Sequence, residues 1–147
     1  MRVFSDTLQI AADRGCQFID ITDQVCDLVR QSQVSNGFVV IYSRHTTAAV
    51  VINENEPLLL QDMEAFLRHI AAPDAPYGHN DFSIRTVNMA DGECPNGHAH
   101  LQHLFLGASE TVPILAGALQ FGQWQRVFLV ELDQPRTREV LVQVVGE

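Results

Sequence analysis

The sequence predicts an α+β domain, with a mixed or antiparallel β-sheet core and two or three helices packed on it. Three observations lead there. Phe38 to Tyr42 and Ala48 to Ile52 are dense β-branched and aromatic runs, which favour strands. Two other segments carry apolar residues at helical spacing, and the last third of the chain returns to short strand-like runs. These elements show no regular strand-helix-strand alternation, so a parallel doubly wound sheet is not expected. A chain of 147 residues can fill one core and is too short for two ordinary domains, so 1–147 reads as a single domain.

Leu8 and Ile10, then Phe18, Ile19 and Ile21, flank the turn-like Asp13-Arg14-Gly15 and predict an N-terminal hairpin. Thr22 is placed to cap a helix over about 23–33, where Val25, Leu28 and Val29 fall at i, i+3 and i+4. Asn36-Gly37 ends that unit. The runs 38–42 and 48–52 read as strands buried on both faces or on most of one. Pro57 opens the strongest helix, with Leu59, Met63, Phe66, Leu67 and Ile70 on one side, and that helix must stop before Pro73. From 73 to 97 the prolines and glycines describe a loop with a short strand near 82–87, a length usually reserved for functional or disordered segments. Gly107 stops a short helix over 98–106; 110–115, 123–133 and 138–145 read as strands, with Trp124 in the core.

Composition removes several function classes. A formal net charge of −9 opposes general nucleic-acid binding, which needs cationic side chains against phosphates. All nine cationic residues are Arg, so Schiff-base catalysis and a P-loop lysine are excluded. Anions must then be held by Arg forks, hydroxyls, backbone amides or a metal. No apolar run approaches the ~20 residues of a membrane span, and the first residues lack a signal-peptide core. With three cysteines and no C-x-x-C pair, a cytoplasmic protein with reduced thiols and no membrane partner is expected.

Six histidines are the main chemical signal. His98, His100 and His103 depend on conformation: an extended chain aligns His98 with His100, whereas a helix pairs His100 with His103. Leu101, Leu104 and Phe105 form a helical apolar face, which favours the helix. H-x-H begins a cupin metal motif, but the next Glu is Glu110, too far on, and no H-E-x-x-H or G-x-S-x-G is present. Asn53-Glu54-Asn55 is either a catalytic cluster at a strand end or a helix start in which Asn55 or Glu56 satisfies free amides. Ser109 can donate to a phosphate or serve a turn, and Arg136 and Arg138 can pair with Glu131 or Asp133 or bind an anion.

The stretches His45-Thr46-Thr47-Ala48-Ala49, Asn53-Glu54-Asn55, Tyr77-Gly78-His79-Asn80, His100-Leu101, Leu106-Gly107-Ala108-Ser109, Val112-Pro113 and Gly122-Gln123-Trp124-Gln125 together resemble the YjbQ family. That group is sometimes labelled secondary thiamine-phosphate synthase, and the resemblance runs through nearly the whole chain in order. It implies a homotrimer and a weak transferase activity that joins hydroxymethylpyrimidine pyrophosphate to thiazole phosphate with release of pyrophosphate. Carried over residue by residue, it implies a divalent metal, zinc, held by His45, His79 and His100, with Glu54 and Asp91 as catalytic acids. Arg44, Asn53, Ser109, Arg136 and Arg138 would bind a small phosphorylated molecule. The alternatives are a metal-dependent hydrolase of such a molecule and a non-catalytic trimer that binds a metal or small ligand.

Overall fold

The structure, a computed structural model, describes residues Met1–Glu147. Strands β1 (Arg2–Ala12) and β2 (Gln17–Asp20) lead to helix α1 (Thr22–Ser32), then to β3 (Gly37–Ser43) and β4 (Ala48–Asn53). Helix α2 (Pro57–Ile70), a single 3₁₀ turn (Gly78–Asn80) and α3 (Gly97–Leu106) follow. β5 (Ser109–Leu115), β6 (Ala118–Leu119), β7 (Arg126–Glu131) and β8 (Arg136–Gly146) complete the chain. One sheet has the order β1-β8-β3-β5-β6 and the other β2-β7-β4; every pairing is antiparallel. The α+β class is the predicted one, and of the alternatives left open the structure has the antiparallel core and three helices.

The chain forms three layers. Side chains alternate across β4 and β7: Ala48, Val50, Val127 and Leu129 face the larger sheet, whereas Ala49, Phe128 and Val130 face the helices. Both faces are therefore apolar, which is why these segments read as continuous hydrophobic runs. In β3 only Val39, Ile41 and Ser43 are buried, and Phe38 and Tyr42 remain partly in solvent. The inner layer is closed at one side by Val25, Leu28 and Val29 of α1. On the outer layer, Phe18 meets Phe128 edge to face at 5.9 Å beside Leu67 of α2 and Ala99 of α3.

Several expectations change. The N-terminal hairpin does not form: β1 pairs with β8 and β2 with β7, because the turn at 13–15 carries the chain from one sheet to the other. Thr22 does not cap α1 from outside; it is the first helical residue, and Asp20 Oδ1 accepts from both its N–H (3.0 Å) and its hydroxyl (2.6 Å). Of the two residues offered as the cap of α2, Asn55 and Glu56, it is Glu56 that accepts from the N–H groups of Leu58 and Leu59, as one of the expected alternatives had it. No strand forms over 82–87, which runs through turns. Trp124 lies in the turn before β7 and is 63% exposed, not in the core. Helix α3 also inverts its expected faces: Gln102 is buried, donating to the carbonyls of Leu67 and Ala71 at the end of α2, while Leu104 and Phe105 are 78% and 71% exposed.

Candidate active site

At one end of the smaller sheet a cleft of about 700 Å³ collects side chains from four parts of the chain. Arg44 to Thr47 come from the β3–β4 connection, His79 from the 3₁₀ turn, and His100 from the first turns of α3. Residues from 88 to 94 supply one wall, and Asp133 and Gln134 of the β7–β8 turn with Arg136 and Arg138 of β8 supply the other. Only two of its eighteen lining residues are hydrophobic, so the cleft suits a polar ligand.

Local packing sets the histidines. Tyr77 anchors the incoming loop by donating its hydroxyl to the Ala72 carbonyl (2.7 Å). Asn80 Oδ1 accepts from the Gly97 N–H (2.8 Å), tying the 3₁₀ turn to the start of α3. At Gly97 a Cβ would stand 2.7 Å from Tyr77 Cβ, so this close approach requires glycine. The result brings His79 and His100 into an edge-to-face contact with ring centroids 4.6 Å apart.

The imidazoles are electrostatically unlike surface histidines. Burial pushes His100 below its ordinary value, and neighbouring His79 reinforces the shift. Burial also lowers His45, with Arg138 adding to it. Both are therefore neutral at pH 7. His45 Nε2 accepts a hydrogen bond from the Glu139 N–H (3.0 Å), which places its remaining proton on Nδ1. Buried His79 Nε2 and Asn96 Oδ1 have no hydrogen-bond partner, and Glu93 Oε1 stands 3.8 Å from the former, too far to supply one.

These contacts revise the expected ligand set. His79 and His100 come together, but His45 turns its unprotonated nitrogen to the backbone of β8. No group of three or more His, Cys, Asp or Glu side chains has metal-ligand spacing. The residues as arranged thus do not fit a three-imidazole zinc centre, which needs unprotonated nitrogens converging at about 2.0–2.1 Å from one point.

The other candidates separate into two groups. Arg44, Asp91, Arg136 and Arg138 line the cleft. Arg138, however, is not an exposed ion-pairing residue. It is buried, with its Nε 2.5 Å and its Nη2 2.7 Å from the two oxygens of Glu131, and it also donates to Thr47 Oγ1 at 2.8 Å. It ties β7 and β8 to the β3–β4 connection through Nε and Nη2, which leaves Nη1 for a ligand. Arg136 pairs with Asp133 at 2.7 Å through one nitrogen, and Arg44 reaches only to 3.6 Å from Glu139, so these two guanidiniums retain donors.

Asn53, Glu54 and Ser109 do not reach the cleft. Ala48 is opposite Glu131 and Asn53 is opposite Arg126, so β4 separates the His45 end from the Glu54 end by roughly 16 Å at ordinary strand rise. Ser109 is an exposed residue that pairs with Tyr42 at the start of β5. Sequence reading missed Arg85, whose guanidinium binds Glu93 and the carbonyls of His79 and Asn88, pinning the cleft wall. A lone Arg inside a Gly- and Pro-rich loop was its one signal.

No helix is long and apolar enough to cross a membrane. The model of the "UPF0047 protein YjbQ-like" family matches residues 6–147. A UPF0047 protein of Methanothermobacter thermautotrophicus is 40% identical over 147 residues, covering 100% of this chain and 95% of that one. YugU of Bacillus subtilis is 32% identical and covers 95% and 98%. Among solved structures, a YbjQ-like protein of Sulfolobus solfataricus superposes with a TM-score of 0.89 at 37% identity over 99% of both chains. One from Aeropyrum pernix gives 0.87 at 35% identity, covering 98% and 99%. With a family model spanning nearly its full length and a relative 40% identical over the whole chain, the chain belongs to the YjbQ-like UPF0047 family.

Proposed function

We propose that the cleft binds a small phosphorylated compound, and that the protein is a weak transferase of the thiamine-phosphate-synthase type. One observation carries this reading: in a chain of net charge −9, the donor-bearing guanidiniums of Arg44 and Arg136 face the same polar cleft as His79 and His100. In the transfer, the thiazole nitrogen forms a bond to the methylene carbon of the pyrimidine as the carbon–oxygen bond to pyrophosphate breaks. The electron pair leaves on pyrophosphate and the positive charge stays on the thiazolium, so no proton has to be removed. What the protein must supply is preorganised positive charge and hydrogen-bond donors at the departing oxygens. Arg44 and Arg136 meet that need directly, while Arg138 and Arg85 hold the walls. Metal chemistry has no step in this account, since the imidazoles do not form the ligand set it requires.

The test is formation of thiamine phosphate from the two purified halves, followed together with pyrophosphate release. Arg44→Ala and Arg136→Ala should each lower turnover by roughly a hundredfold. Undiminished turnover in both variants removes the cleft from the reaction. A hydrolytic second reading rests on neutral His100, which can accept a proton from water. Release of inorganic phosphate from simple esters, lost in His100→Gln, selects it; full binding of phosphate compounds without either product selects a binding protein.

The homotrimer belongs to the same proposal and is supported by the outward Leu101, Leu104 and Phe105 stripe of α3. Light scattering should give three times the 16.4 kDa chain mass, and Leu104→Glu with Phe105→Glu should reduce it. A monomer in the unmodified protein refutes the trimer.

A further inference from the structure

The opposite end of the smaller sheet carries a second recess, of about 440 Å³, that takes no part in the cleft. Trp124 and Glu54 line both this recess and the adjoining one beside Gly122, so the indole and the carboxylate border the same space. The indole is held out deliberately by its backbone. The Gln125 N–H donates to the Gly122 carbonyl (3.1 Å), and Gln125 Oε1 accepts from the Gly122 N–H (2.8 Å), which braces the turn bearing Trp124.

Charge selects the ligand class. Glu54 is half-buried and makes no salt bridge, whereas Arg126, the one cation in the lining, pairs through Nε with Asp20 (2.8 Å) and through Nη2 with Asp23 (3.2 Å). Burial opposes ionisation of Asp20, but hydrogen bonds from Arg126, Thr22 and Asn55 outweigh it and hold that carboxyl at about 2. An anion would meet the carboxyl groups of Asp20 and Glu54. A neutral ring would leave Glu54 without a partner. A flat cation can stack on the indole and direct a fork of N–H donors at the carboxylate, a combination denied to a compact, strongly hydrated ammonium.

We propose that the recess between Trp124 and Glu54 is a binding site for a small planar nitrogen cation of the amidinium or guanidinium type. The site stands apart from the phosphate cleft and does not depend on the reaction proposed there.

Trp124 is the only tryptophan, so its fluorescence reports this end of the sheet and not the cleft. Titration with benzamidinium should quench it saturably, at least about tenfold more tightly than neutral, isosteric benzamide. Glu54→Gln should remove that preference without altering the far-ultraviolet circular dichroism, and calorimetry on Trp124→Leu should show weakened benzamidinium binding. Inorganic phosphate should leave the emission unchanged. Equal response to benzamide, undiminished affinity in Glu54→Gln, or no saturable response overturns the proposal. So does an emission shift that follows protein concentration alone, because a second copy would then be the occupant.

Discussion

At the scale of single residues, the strongest commitment is the Arg138–Glu131 pair. Both side chains are buried, the guanidinium binds the carboxylate through two nitrogens, and Thr47 takes a further donor. Replacing the pair together by apolar residues is often tolerated, whereas removing one partner strands a charge in the interior. Arg138→Met should therefore destabilise the fold by about 3–5 kcal/mol in urea unfolding, and adding Glu131→Leu should recover a large part of that loss. Equal losses for the single and double variants would show that the buried charge is not the cause. Pairing with Glu131 was one of the two readings the sequence left open for Arg138; its burial was not legible. Nothing in Arg136-Thr137-Arg138 distinguishes a guanidinium facing solvent from one facing the sheet, except the period-two alternation of β8, which places Arg138 with Val140 and Val142 on the buried side.

At the scale of elements, the site depends on the join between the 3₁₀ turn and α3. Gly97 lies so close to Tyr77 that even one methyl group must displace the ring or the helix start. Gly97→Ala should cost about 1–3 kcal/mol and separate His79 from His100, seen as a lower unfolding midpoint and altered histidine ring signals in NMR. A variant with unchanged midpoint and unchanged signals would show that the join tolerates the methyl group. The helix α3 itself was legible: Gly107 and the Leu101, Leu104, Phe105 spacing locate it over 98–106, one residue short of the observed Gly97–Leu106. Its orientation was not. An amphipathic pattern gives a stripe, and the stripe turns inward only if no other contact claims the opposite face. Here Gln102 claims it by satisfying the carbonyls of Leu67 and Ala71, which buries the polar side and leaves Leu104 and Phe105 outside.

At the scale of the whole molecule, the histidines set an acid limit on stability. His45, His98, His100 and His103 all titrate below their ordinary 6.5, with burial as the leading cause in each. The unfolded chain therefore takes up protons before the folded one does. The stability of the neutral rings is complete above pH 6.5 and is lost as pH falls through the folded values. Asp20, held at about 2 against an ordinary 3.8, adds a second loss between those values. The unfolding temperature should decline from pH 7 to pH 5, by roughly 2–4 °C for each kcal/mol lost. Replacing His98 and His103 by Gln should flatten that decline, and an unchanged slope would mean these rings are not its source.

The sequence by itself determined the α+β class, most of the element types and the family, because β-branched runs, helical spacing and an ordered series of motifs are local properties of the chain; that the sheets are wholly antiparallel was left to the fold. It also identified seven of the eighteen residues that line the cleft: Arg44, His45, His79, Asp91, His100, Arg136 and Arg138. Only the tertiary structure decided which of them act together. The crossing of the chain between two sheets places Glu54 and Asn53 at the far end of β4, and a backbone N–H from β8 occupies the free nitrogen of His45. Sheet order and long-range hydrogen bonds join residues about a hundred positions apart, and no spacing along the chain encodes them.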